Sequence, residues 1–353
     1  MTLQEIAKRA KVSTATVSRT INRIPTVDPV LARRVWRVIE QVGYYPNTHA
    51  RTLVCGRSRI FGLIVPEITN PFFPEIVQTF TELGVKHQYE VLLSFLAQDA
   101  SLLENAARQM LERRVDGVAI LTFGREDALI EVFARQNVPV FVVDVDSTEP
   151  LVKSVHIDYE HGIRQAVQHL AALGHRRIAF VSGPEHLKTV VKRKAAFLEC
   201  MREIGLPTSP QLRIDGDHTM AAGMTALSAL AALPNRPSAV VCSNDMTAIG
   251  VMRQAFELAL EVPRDLSVVG FDDIRQAHFM IPPLTTVQLS QIEIAEIAFR
   301  ALLDSAEAPS DRSSCYKCTI KTNLVLRRST ALAPGRLRQS GCESQNIAAS
   351  ATP

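Results

Sequence analysis

Apolar runs that alternate with helical stretches are the feature of this sequence that most restricts its fold. These runs are hydrophobic at nearly every position, which is typical of strands that are buried on both faces. The seven runs are Ile60–Val65, Tyr89–Phe95, Gly117–Leu121, Val138–Asp144, Ile178–Ser182, Ala239–Ser243 and Leu266–Phe271. Segments with helical periodicity separate them, so the pattern predicts an α/β fold in which helices cover both faces of parallel sheets.

Two successive blocks of this pattern predict two doubly wound lobes, with the main crossover near Asp158. We expect the first lobe to comprise 59–158 with 287–308, and the second to comprise 159–286 with 309–330. The segments "LTTVQLS" and "YKCTIKTNLVLRRS" are interpreted as the returning strands. Residues 331–353 are rich in small and polar residues and lack leucine heptads, so a disordered tail without a coiled coil is predicted.

A small basic segment precedes this body. Residues 1–60 hold eleven lysines and arginines against three acids, a net charge of +8, whereas the rest of the chain carries −5. Three short helices are predicted within 1–45, with Ser13 capping the second and Asp28-Pro29 opening the third. A tight turn between the first two indicates a helix-turn-helix, and the charge indicates a nucleic-acid module.

The second predicted helix exposes short polar groups that suit duplex DNA. Hydroxyls near a helix N-terminus can bind phosphates, and Arg19 can bind guanine through two hydrogen bonds, worth about 1–3 kcal/mol of discrimination. A solvated face that is merely rich in Ser and Thr is the alternative. The candidate DNA-binding residues of this helix are Ser13, Thr14, Ala15, Thr16, Ser18, Arg19 and Asn22.

Residues 46–58 form a basic connection in which Asn47 can cap a helix that runs to Leu53, past Arg51. So short a helix is unstable alone in water. It is either a plain basic linker or a helix that folds only on DNA and inserts Leu53 into the minor groove.

Polar and aromatic residues follow the predicted strand ends, where ligands bind in open α/β sheets. An arginine, an amide and a carboxylate beside aromatic rings suit a polyhydroxylated ring. Asp245 and Asp273, which directly follow Asn244 and Asp272, are either further binding groups or simply helix caps. The candidate effector-binding residues are Phe72, Phe73, Asp144, Arg193, His218, Asn244 and Asp272.

Three motifs, "TLQEIAKRAKVSTATVSRTIN", "GYYPNTHARTL" and "IFGLIVPEITNPFF", resemble those of the lactose-repressor (LacI/GalR) family of bacterial transcription factors. The resemblance covers residues 2 to about 330. It implies a DNA-binding head, a hinge helix and a dimerising body with two lobes like those of periplasmic binding proteins. It also implies a regulator, of the repressor type, that binds a pseudo-palindromic operator under the control of a small-molecule effector.

By the same resemblance, Thr14, Ala15 and Arg19 read bases, while Ser13, Thr16, Ser18 and Asn22 approach phosphates, and Leu53 is the minor-groove wedge. Arg193, Asn244 and Asp272 contact the effector, with Phe72 and Phe73 in the loop that lines the pocket; Asp144 and His218 are further candidates. The sequence departs from the family pattern at Ala196, where glycine is usual, and at Tyr159, where a small amide is common.

Other classes of protein fit the sequence less well. A solute-binding protein needs an export signal and no basic head, and the nucleotide and nucleophile motifs of doubly wound enzymes are missing from the strand–helix junctions. We therefore expect a regulator and not an enzyme. Its effector is expected to be a sugar or sugar acid, with a purine-like ligand as the alternative and no effector as a third possibility.

Six cysteines are scattered along the chain, as is typical of reduced thiols in the cytoplasm. Cys315 and Cys318 form a lone C-x2-C without a second pair of ligands, so neither a metal nor a cofactor is expected. No apolar run approaches the roughly 20 residues that span a membrane. The expected partners are operator DNA, the effector and a second copy of the chain.

Overall fold

A computed structural model provides the structure of the chain, which divides into two compact units, Met1–Arg59 and Ile60–Pro353. The residues that the structure describes are 2–21, 24–44, 57–95, 100–124, 126–147, 149–307 and 317–334. The predictions for Asn22, Asn47, Arg51 and Leu53, and for most of the hinge segment 46–58, lie outside these residues.

The first unit contains three helices, α1 (Leu3–Ala10), α2 (Thr14–Ile21) and α3 (Pro29–Val42). Thr2 and Glu5 form a capping box at the start of α1, and the Asp28 carboxylate accepts hydrogen bonds at the start of α3. The helices pack around a small core composed of Ile6, Ala7, Ala10, Val17, Val35, Val38 and Ile39. The predicted three-helix head is confirmed.

The first lobe of the second unit is built on a six-stranded parallel sheet in the order β11-β5-β4-β3-β1-β2. Its strands are β1 (Ile60–Val65), β2 (Glu90–Phe95), β3 (Gly117–Ile120), β4 (Val140–Val143), β5 (Val152–Asp158) and β11 (Lys317–Lys321). Its helices are α4 (Phe72–His87), α5 (Ala100–Glu112), α6 (Asp127–Arg135) and α12 (Gln291–Glu307).

The second lobe has a six-stranded sheet in the order β12-β10-β9-β8-β6-β7, parallel except for the β10–β12 pair. Its strands are β6 (Ile178–Val181), β7 (Arg213–Ile214), β8 (Ala239–Cys242), β9 (Ser267–Asp272), β10 (Thr285–Gln288) and β12 (Asn323–Val325). Its helices are α7 (Tyr159–Ala172), α8 (Lys188–Glu203), α9 (Met220–Ala231), α10 (Asp245–Glu257) and α11 (Arg275–Phe279). The predicted class of two doubly wound lobes is confirmed.

The chain crosses between the lobes after Asp158, between β10 and α12, and at Thr322. The expectation that 309–330 belongs wholly to the second lobe is wrong, because β11 pairs with β5 of the first sheet. The backbone groups along that edge of β5 find their hydrogen-bond partners in β11. Two crossovers are bonded together, since the Thr322 hydroxyl donates to the Asp158 carbonyl at 2.7 Å and accepts from the Gly162 amide at 3.0 Å.

The tail was expected to begin at residue 331, and this boundary is also wrong for its first residues. The Ala331 carbonyl accepts a hydrogen bond from the imidazole of His175 at 3.0 Å, and the Ala333 amide donates to the Leu173 carbonyl at 2.9 Å. These backbone groups therefore bind the second lobe, because they satisfy polar groups at the end of α7. Residues 335–353 lie outside the described residues.

Candidate functional site

The exposed face of α2 is the first candidate site. Thr14, Ala15 and Arg19 are exposed, whereas Val17 on the opposite side is fully buried in the head core. Ser13 caps the helix, because its hydroxyl accepts the Thr16 amide at 3.0 Å. Helical spacing puts the three exposed side chains on one side of α2, so they are available together to an external surface.

The turn between α1 and α2 is fixed by local chemistry. Lys11 adopts a left-handed conformation with φ of 50°, which ends α1. Its carbonyl accepts a hydrogen bond from the Arg34 guanidinium at 2.8 Å, so α3 holds the turn in place. The predicted position of Ser13 at the helix start and the exposure of Thr14, Ala15 and Arg19 agree with a surface that a DNA duplex can approach.

The second candidate site is a cavity of about 430 Å³ between the two lobes. Loops at the carboxyl ends of β1, β3, β6, β7, β8 and β9 surround it, together with the starts of α4 and α8. Six of the seven predicted effector residues line it, namely Phe72, Phe73, Arg193, His218, Asn244 and Asp272. Opposed lobes thus bring strand ends that are distant in sequence to a single place.

Three phenylalanines form the cavity wall that the first lobe provides. The ring centroids of Phe72 and Phe73 lie 5.3 Å apart, and Phe123 lies 5.8 Å from Phe72 and 6.1 Å from Phe73. The Asn70 side chain accepts the Phe72 amide at 3.1 Å and so fixes the start of α4. Edge-to-face packing of these rings produces a rigid apolar surface.

Arg193, on α8, is the buried cation of the cavity and is only 5% exposed. Its guanidinium donates to the Ser243 carbonyl at 2.5 Å and lies 3.5 Å from the Asp272 carboxylate. It also stacks over the Phe271 ring at 3.9 Å. Its Nε has no hydrogen-bond partner among the described residues. The guanidinium is therefore fixed in orientation by the wall that holds it.

Asp272 ends β9 in a left-handed conformation, with φ of 109°. Burial raises the pKa of its carboxyl to about 7, and the nearby Arg193 opposes that rise. Its carbonyl accepts a hydrogen bond from Gln291 at 2.8 Å, at the point where the chain returns to the first lobe. Backbone strain of this kind is concentrated at binding sites, where the surrounding structure holds it in place.

His218 and Asn244 complete the polar wall. The His218 Nε2 lies 2.9 Å from the Ser243 hydroxyl, and the His218 carbonyl accepts from the Asn244 amide at 3.1 Å. Burial, followed by the charge of Arg193, lowers the pKa of His218 to about 3, so the imidazole is neutral near pH 7. The Asn244 side-chain oxygen also caps α10 by accepting the Thr247 amide at 2.9 Å.

Asp144 is not among the residues that line the cavity, so the structure does not support its predicted effector contact there. Its buried carboxylate accepts the Ile157 amide at 3.0 Å and pairs with Lys192 of the second lobe at 3.1 Å. Burial, and secondly this carboxylate, raise the pKa of Tyr159 well above its ordinary value. A buried carboxylate requires such partners, and they direct it toward the seam between the lobes.

The sequence did not identify several lining residues, because most of them sit in loops without a distinctive pattern and Thr189 lies in the first turn of α8. These are Pro66, Glu67, Asn70, Thr122, Phe123, Pro184, His186, Leu187, Thr189 and Asp217. The polar residues directly after β1, β6 and β7 were the available signal. Within the part of the chain that the structure describes, no cluster of His, Cys, Asp or Glu could hold a metal, and no helix is long and apolar enough to cross a membrane.

Two family models match the chain. Residues 2–47 match the lacI family of bacterial regulatory proteins, and residues 167–330 match a periplasmic binding protein-like domain. The HTH-type transcriptional repressor CytR of Escherichia coli (strain K12) is 33% identical to this chain over 335 residues. The match covers 94% of this chain and 97% of that protein.

Solved structures show the same architecture. The lac repressor dimer bound to operator and the anti-inducer ONPF superposes with a TM-score of 0.83 at 27% identity, over 94% of this chain and 99% of that one. The complex of the transcriptional regulator CelR with cellobiose superposes with a TM-score of 0.70 at 28% identity, over 93% of this chain and 99% of that one.

Proposed function

Because this chain belongs to the lacI family of bacterial regulatory proteins, DNA-binding repressors that respond to a ligand, we propose that a small molecule bound between its lobes sets its affinity for an operator. The observation that carries the proposal is the cavity, where a fixed guanidinium, an imidazole, an amide and a carboxylate face an aromatic wall. The same chain contains a helix-turn-helix head, whose affinity for DNA is the property that a ligand in the cavity would regulate.

In this proposal α2 lies in the major groove of operator DNA. Thr14, Ala15 and Arg19, which are exposed on one side of the helix, contact base edges. Ser13, Thr16 and Ser18 approach phosphates near the helix start, where free amides and the positive charge of the head favour anions. Two heads of a dimer then occupy half-sites about one helical turn apart.

Selection of bound duplexes from a random DNA pool tests this part of the proposal. We expect a pseudo-palindrome to be enriched by the full-length protein. The variant Arg19→Ala should lose about 1–3 kcal/mol of discrimination at one base of each half-site. Arg202→Ala is a suitable control, because Arg202 is an exposed arginine of the second lobe that pairs with Glu199 on its own helix. Failure of the selection at every salt concentration would refute the DNA-binding role.

The proposed effector is a polyhydroxylated ring, such as a sugar. Arg193, Asn244 and Asp272 can exchange paired hydrogen bonds with hydroxyls, and the Phe72, Phe73 and Phe123 rings can stack on an apolar ring face. The likeness to a regulator solved with cellobiose supports this class. The aromatic wall also favours a second candidate, a purine-like base, because a flat base stacks equally well on phenylalanine.

Ligand-induced thermal stabilisation separates the two candidates. A sugar site should respond to one stereoisomer and ignore its epimers, because misplaced hydroxyls leave buried polar groups unpaired. A base site should respond to a free nucleobase without its sugar. If sugars, nucleosides and nucleobases all fail to stabilise the protein, the effector role of the cavity is refuted.

We also propose that the chain acts as a homodimer in the cytoplasm, where bacterial DNA lies. Three large apolar side chains of the second lobe are strongly exposed, Phe256 at 73%, Phe279 at 69% and Ile281 at 93%. Burial against a second copy removes such surface from water. The double variant Phe279→Ser/Ile281→Ser should shift the mass measured by light scattering from dimer to monomer, and an unchanged mass would exclude this surface from the interface.

A further inference from the structure

The residues that line the cavity carry an unbalanced set of charges. Among the lining residues that the structure describes, the carboxyl groups of Glu67, Asp217 and Asp272, the last with a pKa that burial raises to about 7, face one guanidinium, that of Arg193. The titratable imidazoles are His186 and His218, and the second is neutral because burial lowers its pKa to about 3. Among the described residues of the lining, negative charge therefore exceeds positive charge.

The one guanidinium is already committed to the protein. Arg193 donates to the Ser243 carbonyl, lies 3.5 Å from the Asp272 carboxylate and stacks on Phe271. Its positive charge is compensated within the wall, so it is poorly placed to neutralise an anionic ligand as well.

The lysines next to the cavity on α8 are engaged elsewhere and do not line it. Lys188 lies 3.4 Å from Asp127, and Lys192 lies 3.1 Å from Asp144. Lys194 lies 2.9 Å from Glu185 and 3.1 Å from Asp215, and these two carboxylates raise its pKa. Each of these ammonium groups is therefore paired with a carboxylate that does not line the cavity.

The two outer carboxylates flank the cavity from opposite lobes. Glu67 is an exposed residue after β1, and its carboxylate accepts a hydrogen bond from the Thr69 hydroxyl. Asp217 is an exposed residue after β7, where the Thr219 amide and hydroxyl, at 2.9 Å and 2.6 Å, lower its pKa. Both carboxylates are thus held by neighbours, and Asp217 stays ionised over the physiological range.

We propose that this cavity selects an uncharged effector, and that Glu67 and Asp217 exclude anionic relatives such as sugar phosphates, sugar acids and nucleotides. The inference rests on the proposed function and narrows it, since a sugar acid and a neutral sugar both satisfied the sequence. Like charges that line a low-dielectric cavity act as a specificity element by repelling the wrong ligand.

Matched pairs of small molecules test the proposal on the full-length protein. Suitable probes are ribose with ribose 5-phosphate, glucose with glucuronate, and adenosine with adenosine 5′-monophosphate. Thermal stabilisation identifies the responding pair, and calorimetric titration then gives both dissociation constants. We expect the uncharged member to bind at least tenfold more tightly, and the ratio to shrink at high salt because the repulsion is screened.

Variants assign the effect to the two carboxylates. In Glu67→Gln/Asp217→Asn, the ratio of the anionic to the uncharged dissociation constant should fall about tenfold, which corresponds to about 1.4 kcal/mol. The control Glu112→Gln removes an exposed acid at the end of α5, outside the cavity lining, and should leave the ratio unchanged. Melting temperatures of all three proteins without ligand establish that the variants are folded.

The possible outcomes separate this inference from the function on which it rests. If the anionic member of a pair binds more tightly, or if the double variant leaves the ratio unchanged, the charge-selection proposal is overturned and the effector site stands. If no member of any pair and no other sugar, nucleoside or nucleobase stabilises the protein, the effector role of the cavity is refuted and the charge-selection proposal falls with it. The proposal is supported if the uncharged member binds more tightly and if the ratio of the two dissociation constants falls in the double variant but not in the control variant.

Discussion

The two walls of the cavity are made of different chemistry. The first lobe contributes three phenylalanine rings that pack against one another, whereas the second contributes Arg193, His218, Asn244 and Asp272. The polar wall is bonded to itself, since Arg193 and His218 both contact Ser243 and Asn244 donates to the His218 carbonyl. The aromatic wall offers apolar surface for a ligand to pack on, and the polar wall offers hydrogen-bonding groups that fix the orientation of a ligand.

This difference teaches how a site between two lobes can be specific without being rigid as a whole. Hydrogen bonds are directional and must be preorganised, and most of the buried polar side chains of the lining lie in the second lobe, at strand ends and helix starts that fix them. Apolar contact tolerates small displacements, so it suits the wall that must meet the ligand from the other lobe. Substitutions in the polar wall and in the aromatic wall test this difference.

The largest effect is expected from the buried cation of the polar wall. Arg193→Ala removes the partner of the buried Asp272 carboxylate, so the free energy of unfolding at pH 8 should fall by about 3–5 kcal/mol in urea denaturation. Arg202→Ala is the matched control, because its ion pair with Glu199 is exposed, and should cost less than about 1 kcal/mol. Equal losses in the two variants would show that the polar wall is not held by Arg193.

The aromatic wall should be next in size. Phe73→Ala removes a ring that is only 7% exposed and packs on Phe72 and Phe123, so the free energy of unfolding should fall by about 3 kcal/mol. Val85→Ala, at an apolar side chain that is 75% exposed, is the control and should stay within about 0.5 kcal/mol of the parent. A small loss at Phe73 would mean that this wall rearranges freely.

Two buried groups of the polar wall should respond to pH with opposite signs. The pKa of His218 is lowered to about 3, so its contribution to stability is lost as pH falls below about 6.5, where the unfolded imidazole takes up a proton. The pKa of Asp272 is raised to about 7, so the folded state holds its proton more tightly and gains stability as pH falls through 7.

Substitution of one group leaves the titration of the other as the remaining contribution to the pH dependence of stability. Between pH 6.5 and 5, His218→Gln should gain about 2 kcal/mol of unfolding free energy relative to the parent, and Asp272→Asn should lose about the same amount. Denaturation at several pH values measures both. Parallel pH profiles for the two variants would contradict the opposed titrations.

The smallest effect is expected where the lobes touch. Lys192→Met removes the ion pair with Asp144, but this lysine side chain is 46% exposed, so screening limits the loss of unfolding free energy to about 1 kcal/mol. Lys194→Met, whose partners Glu185 and Asp215 lie in the same lobe, is the control. Comparable small losses are expected, but only the Lys192 variant should alter the lobe closure that X-ray scattering reports.

The sequence predicted the parts of the fold that are fixed by apolar periodicity, because β1 and its neighbours are hydrophobic throughout. It missed β5, since the segment "VKSVHID" alternates polar and apolar residues and is not an apolar run. Six effector candidates met at one cavity because strand ends converge by topology. Asp144 lies outside the lining and pairs with Lys192 of the other lobe. The local sequence around Asp144 contains no sign of that partner. Phe123 was missed because its φ of 55° places it in an irregular loop.

The late position of β11 and β12 in the chain has a consequence for synthesis. These strands lie side by side in sequence, yet each completes an edge of a different sheet. A ribosome that has not yet delivered Lys317–Val325 leaves both lobes with an unpaired strand edge at once. A chain that ends before Lys317 therefore lacks an edge strand in both lobes and not in one alone.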